Sequence, residues 1–151
     1  MTNYNRDLSL KHLYDAFALF ERPDPLTTYE GSHCNEEVDV FNRLDWEEAT
    51  YSDFVDGMEG AIICPALTRA YLLPRLFKMV MLRRSGKTDD AVDNVSVELK
   101  VWPIEASVEI LLNNDQRKAI IAAWTYLDRH IYHPSGSHVA RELVKRWERE
   151  Q

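Results

Sequence analysis

A mainly α-helical single domain of about six helices, one of them kinked at a proline, is the fold class this sequence predicts. Three observations carry that expectation. Apolar residues recur every three or four positions in four separate stretches, which is the mark of a helix with one buried face. Residues that start and stop helices stand at the ends of those stretches. A length of 151 residues with 45% apolar content suits one core rather than two, so residues 1–151 are read as a single domain.

The first stretch runs from Leu8 to Phe20, where Leu10, Leu13, Tyr14, Phe17 and Phe20 share a face. Pro23 and Pro25 close it and open a loop through Gly31, because proline lacks the N–H and fixes its own backbone angle. A short helix is expected over Asn35 to Leu44, burying Val38, Phe41 and Leu44. Glu36 and Glu37 in its first turn suit the positive end of the helix dipole. Cys64-Pro65 begins the central helix, in which Ala66, Leu67, Ala70, Leu73, Phe77, Val80 and Met81 form the stripe and the basic residues take the opposite face. The stripe keeps its phase across Pro74, so a kinked but continuous helix is expected.

Residues 85–90 read as a loop with Gly86 available as a helix cap. Between Ala91 and Leu112 two periods compete: Val92, Val95, Leu99 and Trp102 fit a helix, which we prefer. Val95, Val97, Leu99 and Val101, then Val108, Ile110 and Leu112, fit a hairpin over 95–112. Beyond it, Asn113 and Gln116 form a capping-box start for a helix that buries Ile120, Trp124, Leu127 and Ile131 and ends near His133-Pro134. Ser137 caps a last helix with Val139, Leu143 and Trp147 on one side and Glu142 paired with Arg146 on the other.

Charge is distributed unevenly within a formal net charge of −7. Residues 30–59 hold ten carboxylates (Glu30, Glu36, Glu37, Asp39, Asp45, Glu47, Glu48, Asp53, Asp56 and Glu59) against one base, Arg43. Residues 60–87 hold six bases (Arg69, Arg75, Lys78, Arg83, Arg84 and Lys87) and no carboxylate. The acidic stretch either pairs with that basic helix, stands as a solvated face, or docks onto a basic partner. Its excess is larger than the neighbouring bases can neutralise, which favours docking. Trp46, between Asp45 and Glu47-Glu48, is the expected anchor of such an interface, whereas Trp124 and Trp147 lie on apolar stripes and belong to the core.

Enzyme chemistry finds little footing. His33, Cys34, Cys64, His130, His133 and His138 are metal-ligand types, but their spacing matches no zinc unit, and no metal or cofactor is expected. Cys64 at a helix start is read as a small core residue rather than a nucleophile. The five glycines form no phosphate-binding loop. Nucleic-acid binding would have to use the bases of the Pro65 to Lys87 segment against the repulsion set by the net charge. No apolar run approaches the roughly 20 residues of a membrane span, and the N-terminus lacks signal-peptide character. A cytoplasmic, non-enzymatic protein without membrane contact is expected.

FALFERPDP (17–25), SHCNEE (32–37), LTRAYLLPRL (67–76) and LLNNDQRKAIIAAWTYL (111–127) together resemble the patterns of an uncharacterised family of small bacterial helical domains of unknown function. The resemblance implies a helical fold, favours helix over residues 91–102, and brings no catalytic residues with it. By analogy of size and charge alone, the chain is also like the immunity proteins encoded beside secreted bacterial toxins. The functional expectation is therefore an immunity-type inhibitor whose Glu36, Glu37, Asp39, Asp45, Trp46, Glu47, Glu48, Asp53 and Asp56 dock into the basic cleft of a cognate toxin domain, with a small enzyme or metal-dependent protein and a regulatory module with a nucleic-acid contact as the alternatives. Far-ultraviolet circular dichroism is expected to give a helical spectrum. A strand-dominated one would mean that the wrong period was chosen for residues 91–112 and elsewhere.

Overall fold

The computed structural model describes residues 5–27, 35–50, 53, 65–82, 109–130 and 138–151. Five helices lie among them: α1 (Arg6–Ala16), α2 (Asn35–Arg43), α3 (Ala66–Met81), α4 (Asn114–His130) and α5 (His138–Arg149). No strand occurs among the described residues, so the fold is mainly helical as expected. α1 packs on α4 and α3, and α4 carries α5. Their buried faces meet in one core that includes Leu13, Phe17, Phe41, Trp46, Leu73, Phe77, Ile120, Trp124, Leu127 and Trp147.

α1 begins at Asn5, whose side-chain oxygen accepts from the backbone N–H groups of Asp7 and Leu8 at 2.8 and 3.4 Å. It ends at Ala16, one turn short of the expected Phe20. The Ala16 carbonyl, which a longer helix would give to the Phe20 N–H, accepts instead from the Gln116 side chain at 3.1 Å, and the Phe20 N–H turns to Phe17 at 3.0 Å. Phe17 and Phe20 stay packed in the ensuing turn with ring centroids 5.6 Å apart. The apolar stripe is thus longer than the helix that starts it.

The same glutamine starts α4. Asn113 Oδ1 accepts from the Gln116 N–H and Gln116 Oε1 from the Asn113 N–H, both at 2.8 Å, a reciprocal capping box. Ile120, Trp124 and Leu127 are buried as the spacing predicts. Glu109 to Leu112, just before the cap, form a turn closed by the Leu112 N–H on the Glu109 carbonyl at 3.1 Å, not the end of a hairpin strand. The rest of the helix-or-hairpin question lies outside the described residues.

α2 keeps the expected bounds within a residue and buries Val38 and Phe41. Its C-terminal end is held by the preceding loop, where Arg22 donates to the carbonyls of Asn42 and Leu44 at 2.8 and 2.9 Å. A cation there also suits the negative end of the helix dipole. The Asn42 amide accepts from the Thr27 N–H and donates to the Thr27 carbonyl, each at 3.0 Å, so one side chain imitates a strand pairing. Thr68 on α3 donates to the Leu26 carbonyl at 2.5 Å and closes the loop from its other side.

α3 runs continuously through Pro74. It is covered on more sides than the sequence stripe implies: Thr68, Arg69, Tyr71, Leu72, Leu76 and Met79 are buried along with Ala70, Leu73, Phe77 and Met81. Leu67, counted in the stripe, is 57% exposed. Among the described residues, Arg69, Arg75 and Lys78 therefore do not form a free opposite face. On α5, Leu143 and Trp147 are buried as expected, but the expected Glu142–Arg146 pair is not formed. Glu142 lies 3.7 Å from Lys145, and Arg146 is paired with Glu109. The Glu109 carboxylate also accepts from the Trp147 indole at 3.0 Å, which satisfies a buried donor and ties α5 to the turn before α4.

Replacing Gln116 by Ala should cost about 1–3 kcal/mol, because it removes half of a cap and leaves the Ala16 carbonyl without its side-chain donor. Asn113→Ala, which removes only the cap acceptor, should cost about 1 kcal/mol. Urea unfolding of the two variants measures the difference, and equal losses would deny Gln116 its second role.

Candidate functional site

The acidic segment is built on α2 and the turn that follows it. Because Val38 and Phe41 point into the core, Glu36 and Asp39 on the other side of the helix are exposed. After Leu44, Asp45 organises a tight turn: its side chain accepts from the Glu47 N–H and its carbonyl from the Glu48 N–H, each at 3.1 Å. Asp45 and Glu48 are exposed on this turn. Thr50 and Asp53 then form a reciprocal cap, with Thr50 N–H to Asp53 Oδ2 at 2.9 Å and Asp53 N–H to Thr50 Oγ1 at 3.2 Å.

Two of the residues expected at the interface point the other way. Trp46 is 2% exposed, with its ring edge-on to Phe41 at 5.0 Å between centroids and its indole N–H donated to the Phe41 carbonyl at 3.1 Å. It anchors the turn to this chain's own core and does not present a ring to a partner. The acidic neighbours that set it apart in the sequence leave the turn in other directions.

Glu47 turns toward α1 and α3. Its carboxylate accepts from Arg75 Nε at 2.7 Å and from the Tyr14 hydroxyl at 3.0 Å, and lies 2.7 Å from Arg75 Nη2. Lys78 donates to the Glu47 carbonyl at 3.2 Å, with its ammonium 3.9 Å from the carboxylate. Arg75 spends a further N–H on the Tyr71 carbonyl at 2.7 Å, and its guanidinium lies 3.9 Å from the Tyr71 ring centroid and 5.2 Å from that of Tyr14. The Arg75 side chain is 14% exposed, and its charge is met by two aromatic faces and by Glu47, whose own side chain is 41% exposed. Internal pairing with the basic helix, one of the readings open from the sequence, thus holds for Glu47.

This setting acts on Tyr14. Burial first, then the negative charge of Glu47 and the hydrogen bond donated to it, hold the Tyr14 hydroxyl well above the ordinary tyrosine range, with Arg75 pulling weakly the other way. The partners in this cluster were absent from the expected site. Tyr71, Arg75 and Lys78 stand at i, i+4 and i+7 on α3, a spacing that sequence reading could have joined into one face.

Of the expected docking residues, Glu36, Asp39, Asp45 and Glu48 are exposed, Asp53 and Glu47 are half-buried, with the Glu47 carboxylate turned to Arg75, and Trp46 is internal. The side chain of Glu37 and all of Asp56 lie outside the described residues. Among the described residues no group of three or more His, Cys, Asp or Glu is placed to hold a metal ion. Cys34, Cys64, His33 and His133 lie outside them. The bases on which nucleic-acid contact would depend are committed in part: Arg69 is buried, and Arg75 and Lys78 are engaged with Glu47. No helix among the described residues is long and apolar enough to cross a membrane. Compared with family models, curated proteins and solved structures, the chain matches none.

Trp46→Ala should destabilise the isolated protein by about 3–5 kcal/mol, the cost of removing a large buried ring, whether or not a partner is present. An unfolding midpoint equal to that of the parent would return Trp46 to the surface. In a double-mutant cycle, Glu47→Gln and Arg75→Met should couple by about 1 kcal/mol or more, where an exposed pair gives close to none.

The sign of the alkaline response follows from Tyr14. Its proton is held more tightly in the folded than in the unfolded chain, so its stabilising contribution is complete below the ordinary tyrosine pKa of about 10 and is lost as pH rises above it. Unfolding free energy measured across that range should fall less steeply for Tyr14→Phe than for the parent. Identical slopes would mean that Tyr14 ionises as freely in the folded state as in the unfolded one.

Proposed function

We propose that the protein is an immunity-type inhibitor that binds a basic protein partner, a cognate toxin domain, through the acidic surface formed by α2 and the turn after it. The observation that supports this reading is the division of the acidic segment. Glu47 takes up the nearby cations Arg75 and Lys78 from within, while Glu36, Asp39, Asp45 and Glu48 face outward on backbone that the core and its caps hold in place. A set of carboxylates on an ordered platform imitates a polyanion. A toxin acting on nucleic acid or nucleotides needs a positive cleft, which such a surface would occlude.

With Trp46 in the core, the interface depends on charge rather than on an aromatic anchor. Its Coulomb attraction acts over a screening length of about 10 Å at 0.1 M salt, so association should slow as salt rises while dissociation changes less. Glu37 and Asp56 belong to the same set by sequence. Glu47 and Trp46 serve it from inside by orienting the turn.

The test uses the partner recovered with the intact chain from the source cell's secreted proteins, followed by reversal of Glu36, Asp39 and Glu48 to lysine. Asp45 and Asp53 are spared because they cap backbone N–H groups. The triple reversal should keep its thermal midpoint within a few degrees and lose on the order of tenfold or more in association rate at low salt. If it binds as fast and as tightly as the parent, the acidic face is merely solvated and the proposal is wrong.

A further inference from the structure

No further inference is drawn: the strongest candidate, the half-buried cluster of Tyr14, Glu47, Tyr71, Arg75 and Lys78 between α1, α3 and the turn after α2, belongs to the internal ion pair already described, and nothing in the structure shows a ligand that would displace the Glu47 carboxylate.

Discussion

A helix that passes through the middle of a core while carrying cations must have those cations met, and α3 is such a helix. Without Glu47, the mostly buried guanidinium of Arg75 would keep only the Tyr71 carbonyl and two aromatic faces as partners. Glu47 answers it, and in doing so fixes where the turn after α2 can lie. The turn in turn sets where its neighbours emerge, because Asp45 and Glu48 stand exposed within the same few bonds. Trp46, one residue before Glu47, enters the core beside Phe41 and so adds apolar burial to the same anchorage. Electrostatic need and hydrophobic burial thus act on adjacent residues of one turn, and the position of the acidic surface is a consequence of both.

Two residues further along α1 from Tyr14, at Ala16, a neutral hydrogen bond does a similar task. Gln116 caps α4 and occupies the carbonyl that ends α1, so one buried amide joins the limits of two helices. Glu109 performs a similar junction between the turn before α4 and the indole of Trp147 on α5. Each of these side chains satisfies a backbone or ring group that would otherwise be buried without a partner. Regular packing of stripes brings the helices together, and these few polar residues stand where α1 stops and α4 starts and where α5 meets the turn before α4.

The sequence was most legible where local rules suffice. The Asn113–Gln116 box, the bounds of α2 and the stripe of α4 depend on neighbours a turn away, and they stand as read. It was least legible where the partner is distant. Where α1 ends, the Ala16 carbonyl is taken by a residue a hundred positions later, and nothing within α1 carries that information. Arg146 fits Glu142 by spacing, yet Glu109 offers it a less exposed carboxylate that also serves Trp147. For the acidic segment, composition identified the charge and left the direction of each side chain open. Trp46 among carboxylates looks like an exposed ring by its neighbours, but the turn around Asp45 sends adjacent residues to different sides.

The pairing between Asn42 and Thr27 makes the α2 platform sensitive to chemical ageing. An asparagine is the residue that fits there, since its amide must both accept and donate. Hydrolysis of that amide to aspartate would keep the acceptor for the Thr27 N–H, abolish the donor, and set a new negative charge against the Thr27 carbonyl. The loop of residues 20–27 would then hold α2 through Arg22 and one bond from the Thr27 N–H, with the reciprocal half of that pairing turned from attraction to repulsion. Deamidation at a single position would slacken the acidic face without altering any of the residues that form it.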